Sequence, residues 1–412
     1  MKKVLFVSYA FPPQLSPESI QTSRYVKFLP QYGWEPYVIC ADEESILSEP
    51  IDKSMLSLLP PNIRMLKVRS FEPRILMMAI GKFLPVLFKL PDNKIGWRWS
   101  AYRKSLVALK EERFDLIHSW AMYLSSNIVG LKLKKKTGLP WVVHFSDPWV
   151  DSPYMHYGRL DAYINRKLER AVMERADAIV FVSEETRQLV MRKYPPEVRR
   201  RSAVIPHCYD PEIVAKTPPA KENPKLTFTY TGNFYYGMRT PMGLFQALHN
   251  ILSKQPEIQD FINVQMVGTL HKDYQDAILR LGIEKVVSVV GAVPYLKSLE
   301  CIQNASVLLL IDAPSKTPSI FLPLKLIEYI AFKKPILGIT PVEGTSASLI
   351  KRLGGIVVSP EDIGGIEEGI LTFYQKFKAG SLSDYAYSDD DIRSYSVVNA
   401  TRTLAELFDS VC

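Results

Sequence analysis

Short β-branched and aliphatic runs alternate along this chain with stretches in which apolar residues recur every three or four positions, the periods of buried strands and of one-sided helices. In the first half the runs predict strands at 3–9, 36–40, 63–68, 116–120, 141–145, 178–182 and 203–206, with helices at 18–31, 102–112 and 160–175 between them. Strand–helix alternation of this kind predicts a parallel sheet covered on both faces. The rhythm stops at 210–224 (DPEIVAKTPPAKENP), where proline and charge replace apolar periodicity and predict a linker. It restarts with strands at 226–231, 262–267, 286–290, 306–311, 335–338 and 355–358, and helices at 243–253, 299–304 and 324–331. The expected fold is therefore α/β, with two doubly wound, Rossmann-like domains at 1–209 and 225–390. The last segment, 391–412, is again apolar-periodic and is expected to fold back on the first domain. Ligands in such sheets sit beyond the carboxyl ends of the strands, so a cleft between the two domains is expected to hold the active site.

At 412 residues, 47% of them hydrophobic, the chain is long enough for each domain to bury a full core. Its start, MKKVLFVSYAFPP, has an apolar run broken by Ser8 and two prolines, so it reads as a first buried strand and not as a signal peptide. No stretch approaches the length of clean apolar sequence needed to span a bilayer. Cys40, Cys208, Cys301 and Cys412 form no paired motif, which argues for a reducing compartment and against a structural zinc site.

The formal charge of +8 is unevenly placed: 64–136 carries sixteen Lys/Arg against five Asp/Glu, a local +11 that leaves about −3 for the rest. Such asymmetry points to an anionic partner. No nucleic-acid-binding signature accompanies it, so no nucleic-acid partner is expected.

The strongest local motif runs from Pro323 through Lys325, Glu328 and Tyr329 to Pro335. It places a turn before a helix amino terminus, whose free N–H groups and positive end suit a diphosphate. It resembles the donor motif of family 4 glycosyltransferases, in the subgroup with Pro-x-Lys-x-x-Glu-Tyr. That resemblance implies the GT-B fold, a nucleotide sugar bound by the second domain, and Glu328 on the ribose diol. The family's more common form has a further glutamate where this chain has Ile320.

A second match, Tyr230-Thr-Gly232-Asn233, follows the first strand of the second domain. A glycine there lets backbone approach phosphates closely. Asn233 stands where the family usually has arginine, and Arg239 where a second cation is expected. Arg239 and Lys325 are then the cations that offset the leaving diphosphate. The loop around Val293 is expected to present backbone to the base.

In the first domain, Val143-His144-Phe145-Ser146-Asp147-Pro148-Trp149 ends a strand, where the family commonly faces the donor sugar with a histidine. His144 is the expected hydrogen-bonding imidazole, with Asp147 and the Trp149 ring beside it on the acceptor side. The loop after the first strand lacks the family's Gly-Gly turn, which leaves Ser16, Glu18 and Arg24 to shape that side. The segment 71–90 (FEPRILMMAIGKFLPVLFKL) combines large apolar residues with Arg74, Lys82 and Lys89, and is expected to meet an anionic membrane surface.

The resemblance implies a retaining transferase that moves a sugar from a UDP- or GDP-sugar to a lipid-linked or saccharide acceptor in cell-surface polysaccharide synthesis. It is expected to need no metal or other cofactor, and to work in the cytoplasm, peripheral on the inner face of the plasma membrane. Two alternatives share the architecture: a nucleotide-sugar epimerase, and a degenerate module that binds sugar without turnover.

Overall fold

Among the described residues thirteen strands, β1 to β13, fall where the apolar runs predict them, within one or two residues at each end. In the first sheet they are β1 (Lys2–Ser8), β2 (Trp34–Ala41), β3 (Arg64–Val68), β4 (Leu116–Ala121), β5 (Trp141–Phe145), β6 (Ala178–Phe181) and β7 (Ser202–Val204). In the second they are β8 (Leu226–Thr231), β9 (Ile262–Val267), β10 (Val287–Gly291), β11 (Val307–Ile311), β12 (Ile336–Ile339) and β13 (Ile356–Val358). The computed structural model describes residues 1–46, 49–70, 90–155, 157–234, 238–315, 317–385 and 387–412. Of the segment 71–90, expected to meet a membrane surface, all but Leu90 lies outside them.

Both sheets are parallel. The strand orders are β3-β2-β1-β4-β5-β6-β7 and β10-β9-β8-β11-β12-β13. Each sheet thus grows outward in both directions from its first strand, and the reversal falls between β1 and β4 in one and between β8 and β11 in the other. Strands buried on both faces need continuous apolar sequence, and β11 (VLLLI) is buried along its whole length.

The chain divides into two compact units, Met1–His207 with Val397–Cys412, and Cys208–Ser396. The stretch read as a linker begins with a short helix, Pro211–Lys216, whose N-cap Asp210 accepts a hydrogen bond from Glu212 N. The C-terminal helix Val397–Val411 belongs to the first unit. There the Phe408 ring meets Trp34 edge-on at 5.2 Å, Lys2 pairs with Asp409 at 2.7 Å, and Tyr32 Oη donates to Val398 O at 2.8 Å. Each unit has its own hydrophobic core. Among the described residues no helix is long and apolar enough to cross a membrane.

Candidate functional site

In a doubly wound sheet, loops from neighbouring strands part at the reversal point and leave a crevice at the carboxyl edge. In the second unit that edge carries Gly232 after β8 and Asp312 after β11. The helix Leu324–Ala331 begins just after Pro323, which occupies its N-cap in extended conformation. Its first turn brings Lys325 to this edge, where Nζ donates to Tyr230 Oη at 3.0 Å and stands 4.1 Å from the centre of the Tyr230 ring.

Gly232 makes room for that ammonium. Its φ is +121°, and a Cβ built on it would lie 2.7 Å from Lys325 Nζ. Burial, together with the Arg239 cation, pushes Lys325 down to about 7, with Asp312 and Glu328 pulling the other way. Arg239 Nη2 lies 3.3 Å from Asp312 Oδ1, and Thr340 Oγ1 donates to Asp312 Oδ2 at 3.1 Å. The edge therefore sets the Lys325 and Arg239 cations, with Asp312 between them and Glu328 nearby, beside the turn at Gly232.

Two further contacts fix the helix that carries the motif. Thr231 N, at the end of β8, donates to Tyr329 Oη at 2.9 Å, which pins the helix to the strand. On the next turn Glu328 is 8% exposed and accepts from Tyr295 Oη at 2.6 Å. Tyr295 opens the helix Tyr295–Asn304, directly after the loop of Val293, which is half-buried. Asn233 serves the backbone: its Oδ1 accepts from Thr269 N at 3.0 Å. The loop is tight here, because a Cβ on Gly268 would overlap Gly232 O.

The structure thus gathers Gly232, Arg239, Lys325 and Glu328 at one sheet edge, gives a role to the side chain of Tyr230 within its motif, and adds Asp312 and Tyr295, which the sequence motifs do not include. Asp312 had a signal, a lone carboxylate immediately after an apolar strand. Tyr295 had none, since aromatic residues next to strands are ordinarily core.

The first unit has its own reversal point, and Glu18 bridges it. The helix Pro17–Phe28 starts from the N-cap Ser16, whose side chain accepts from Ser19 N, so Ser16 is committed to the helix end. Glu18, 2% exposed, accepts from Ser8 Oγ at 2.7 Å through Oε1 and from Met122 N at 3.0 Å through Oε2. It thereby ties the end of β1 to the end of β4. Burial pushes its carboxyl up to about 8, against those hydrogen bonds.

His144, on β5 opposite Trp120 of β4, stacks on the indole with ring centres 3.5 Å apart. Burial, with His118 and His207 nearby, holds it well below the ordinary histidine range, so it is a neutral imidazole. Its Nδ1 has no hydrogen-bond partner among the described residues. Arg24 is buried, and its charge adds to burial in holding His207 down to about 4.

The two remaining acceptor-side residues part company. Asp147 is exposed at the turn after β5. Trp149 is not on a wall: its ring is 2% exposed within the first core, and Nε1 donates to Asn165 Oδ1 at 2.8 Å. A large ring with a single polar atom is most stable where the ring is buried and that atom is paired, so Trp149 presents no face to a ligand. Among the described residues no group of three or more His, Cys, Asp or Glu side chains is placed to hold a metal ion.

Residues 22–213 match the family model of Glycosyltransferase Family 4. The match covers most of the first unit, including Arg24, His144 and His207. No curated protein matches the chain in sequence. Solved structures do. Sucrose-phosphate synthase from Thermosynechococcus elongatus superposes with a TM-score of 0.68 at 14% identity, covering 100% of this chain and 99% of that one. HepE from Anabaena, in complex with UDP-glucose, gives 0.66 at 15% identity over 100% of both chains. A putative UDP-N-acetylglucosamine 2-epimerase from Listeria monocytogenes gives 0.57 at 10%, covering 98% and 94%. The fold is GT-B, two Rossmann-like domains with parallel sheets, and it is shared by transferases and by an epimerase-like chain.

Proposed function

We propose that the protein is a glycosyltransferase that moves a sugar from a nucleoside-diphosphate sugar to a lipid-linked or saccharide acceptor with retention at the anomeric carbon. The observation that carries this reading is the Lys325 ammonium held against the open face of Gly232, beside Arg239 and one turn before Glu328. A diphosphate fits there because the backbone can approach closely at the glycine and two cations meet its charge. Glu328, fixed by Tyr295, is suited to accept hydrogen bonds from a ribose diol.

In the reaction the bond from the anomeric carbon to the diphosphate oxygen breaks, and a bond to the acceptor oxygen forms on the same face. The acceptor's proton passes to the departing diphosphate. Lys325 and Arg239 stabilise the charge that develops on that group, and fixed charges of this kind act without reorganising during the step. The diphosphate's charge is met by side chains, so we assign no metal to the step. His144, neutral and set at a strand end, suits hydrogen bonding to sugar hydroxyls and not proton donation as an imidazolium. The acceptor belongs to the first domain, with Glu18 and Arg24 shaping its loop and Asp147 exposed beside it. The excess of basic residues over 64–136 supports work at an anionic membrane surface on the cytoplasmic side, with 71–90 as the contact.

The test is a thermal-shift panel of UDP- and GDP-sugars on the full chain, with Glu328→Ala and Arg239→Ala beside the wild type. A shift for one donor series that both variants lose is the expected result; wild-type shifts in both variants refute the site. Slow hydrolysis of that donor with retained anomeric configuration marks a transferase, and interconversion of the sugar marks an epimerase.

A further inference from the structure

The opposite pole of the second sheet carries a separate cavity. A pocket of about 330 Å³ is lined by residues including Lys221, Asn304, Ser306, Lys333, Lys334 and Ser383. These lie where β8, β11 and β12 begin, whereas Gly232 and Asp312 lie where β8 and β11 end. A six-residue strand spans roughly 20 Å, so one ligand of ordinary size cannot occupy both.

The lining is cationic and rich in donors. It contains three lysines and no aspartate or glutamate. Lys333 is committed to Asp389 at 2.8 Å, but the ammonium groups of Lys221 and Lys334 have no ion-pair or hydrogen-bond partner among the described residues. Lys334 is half-buried, and burial lowers its affinity for a proton. Asn304 Oδ1 accepts from Lys221 N at 2.8 Å, which leaves its Nδ2 donors unused among the described residues. Ser306 Oγ accepts from Thr227 N at 3.1 Å, which leaves its own proton free to donate.

The helices Tyr295–Asn304 and Leu324–Ala331 both end at this pole. Each carboxyl end contributes roughly half a negative charge. Two uncommitted ammonium groups exceed that total, so the pocket stays net positive.

We propose that this pocket binds a phosphate group, free or carried by a small phosphorylated metabolite, at a site separate from the one assigned to the nucleotide sugar. The lining residues are of the right kind: Lys221, Lys334, Asn304 and Ser306 border a cavity whose lining contains no carboxylate, the nearby Asp389 being paired with Lys333. The volume accommodates a sugar phosphate as well as a bare ion.

The experiment is calorimetric titration of the full chain carrying Lys325→Met and Arg239→Ala, which removes both phosphate-binding cations at the other pole. Inorganic phosphate and glucose 6-phosphate are the two probes, and the tighter one names the source. Lys334→Met added to that background should weaken binding at least tenfold, and Ser306→Ala severalfold. Should Lys334→Met fail to fold, lysine-directed acylation mapped by mass spectrometry on the unsubstituted chain decides instead, with phosphate expected to protect Lys334. Unchanged affinity in the Lys334 and Ser306 variants, absence of binding in the Lys325→Met, Arg239→Ala background, or unprotected Lys334 each overturns the proposal. None of these outcomes bears on nucleotide-sugar binding, which is read separately.

Discussion

The hydroxyl of Tyr295 donates to the Glu328 carboxylate at 2.6 Å and so joins the loop after β10 to the helix that carries the donor motif. A hydrogen bond to a charged group contributes about 1.5–3 kcal/mol. Tyr295→Phe removes only the hydroxyl and keeps the ring in the core. We expect nucleotide-sugar affinity to fall about tenfold, less than in Glu328→Ala, with the unfolding midpoint lowered by several degrees. Calorimetric titration of the two variants side by side checks the order; equal affinity in wild type and Tyr295→Phe would remove Tyr295 from the site.

Gly232→Ala tests the space under Lys325. The new methyl would stand 2.7 Å from Lys325 Nζ on a backbone at φ +121°, which side chains rarely tolerate. The ammonium must move, and the turn strains by about 1–3 kcal/mol. Loss of the thermal shift with UDP- or GDP-sugar, together with a lower melting temperature of the free protein, is the expected pair of results. A variant that binds donor like the wild type shows that Lys325 does not work from this position.

Lys325 also gives a pH signature. Its folded value, pushed down to about 7, lies below the ordinary lysine value of 10.5, so the native chain holds fewer protons than the unfolded one between them. Stability from this group is therefore lowest below pH 7 and rises with pH across that window. A bound diphosphate favours the protonated form, so affinity should fall severalfold as pH rises from 7 to 9. In Lys325→Met both trends should flatten, while the protein at pH 6 becomes no less stable. A parallel affinity profile in wild type and variant argues against contact between Lys325 and the ligand.

Glu18 titrates in the opposite sense. Its folded value is raised to about 8 from 4.5, so the native chain holds the extra proton in this window. The stability this provides is fully present below pH 4.5 and is lost as pH rises through 8. Glu18→Gln keeps the shape, and Ser8 Oγ can turn its proton to Ala10 O, 2.8 Å away. The variant should match wild type near pH 5 and melt higher at pH 9. Thermal melts at both values decide it, and a constant difference between the two proteins contradicts the assignment.

Trp149→Phe separates core from wall. It leaves Asn165 Oδ1 without its donor inside the core, at a cost of about 1–3 kcal/mol on top of the lost ring area. Lower stability with unchanged KM for the acceptor is expected; a raised KM at full stability would return Trp149 to the acceptor side.

The strands and the two-domain plan were legible because each buried parallel strand needs an unbroken apolar run, and each run in this chain is flanked by helical periodicity. Gly232, Lys325 and Glu328 were legible through their place in short motifs at strand and helix ends. Local pattern reaches no further than that. It sets which face of an element is apolar, but not which strands become neighbours. The order β10-β9-β8-β11-β12-β13 brings the end of β8 beside the end of β11, and only that adjacency sets Asp312 against Arg239 and Tyr230 beneath Lys325. The same holds in the first sheet, where Glu18 finds Met122 because β1 lies beside β4. Burial is likewise a property of the assembled layers: the sequence around Trp149 suits a sugar platform or a core anchor equally well, and packing chose the core. The chain alone determined the parts and the ends that carry chemistry; the folded sheet decided which of those ends meet, because contacts between distant residues depend on strand order, which no local period encodes.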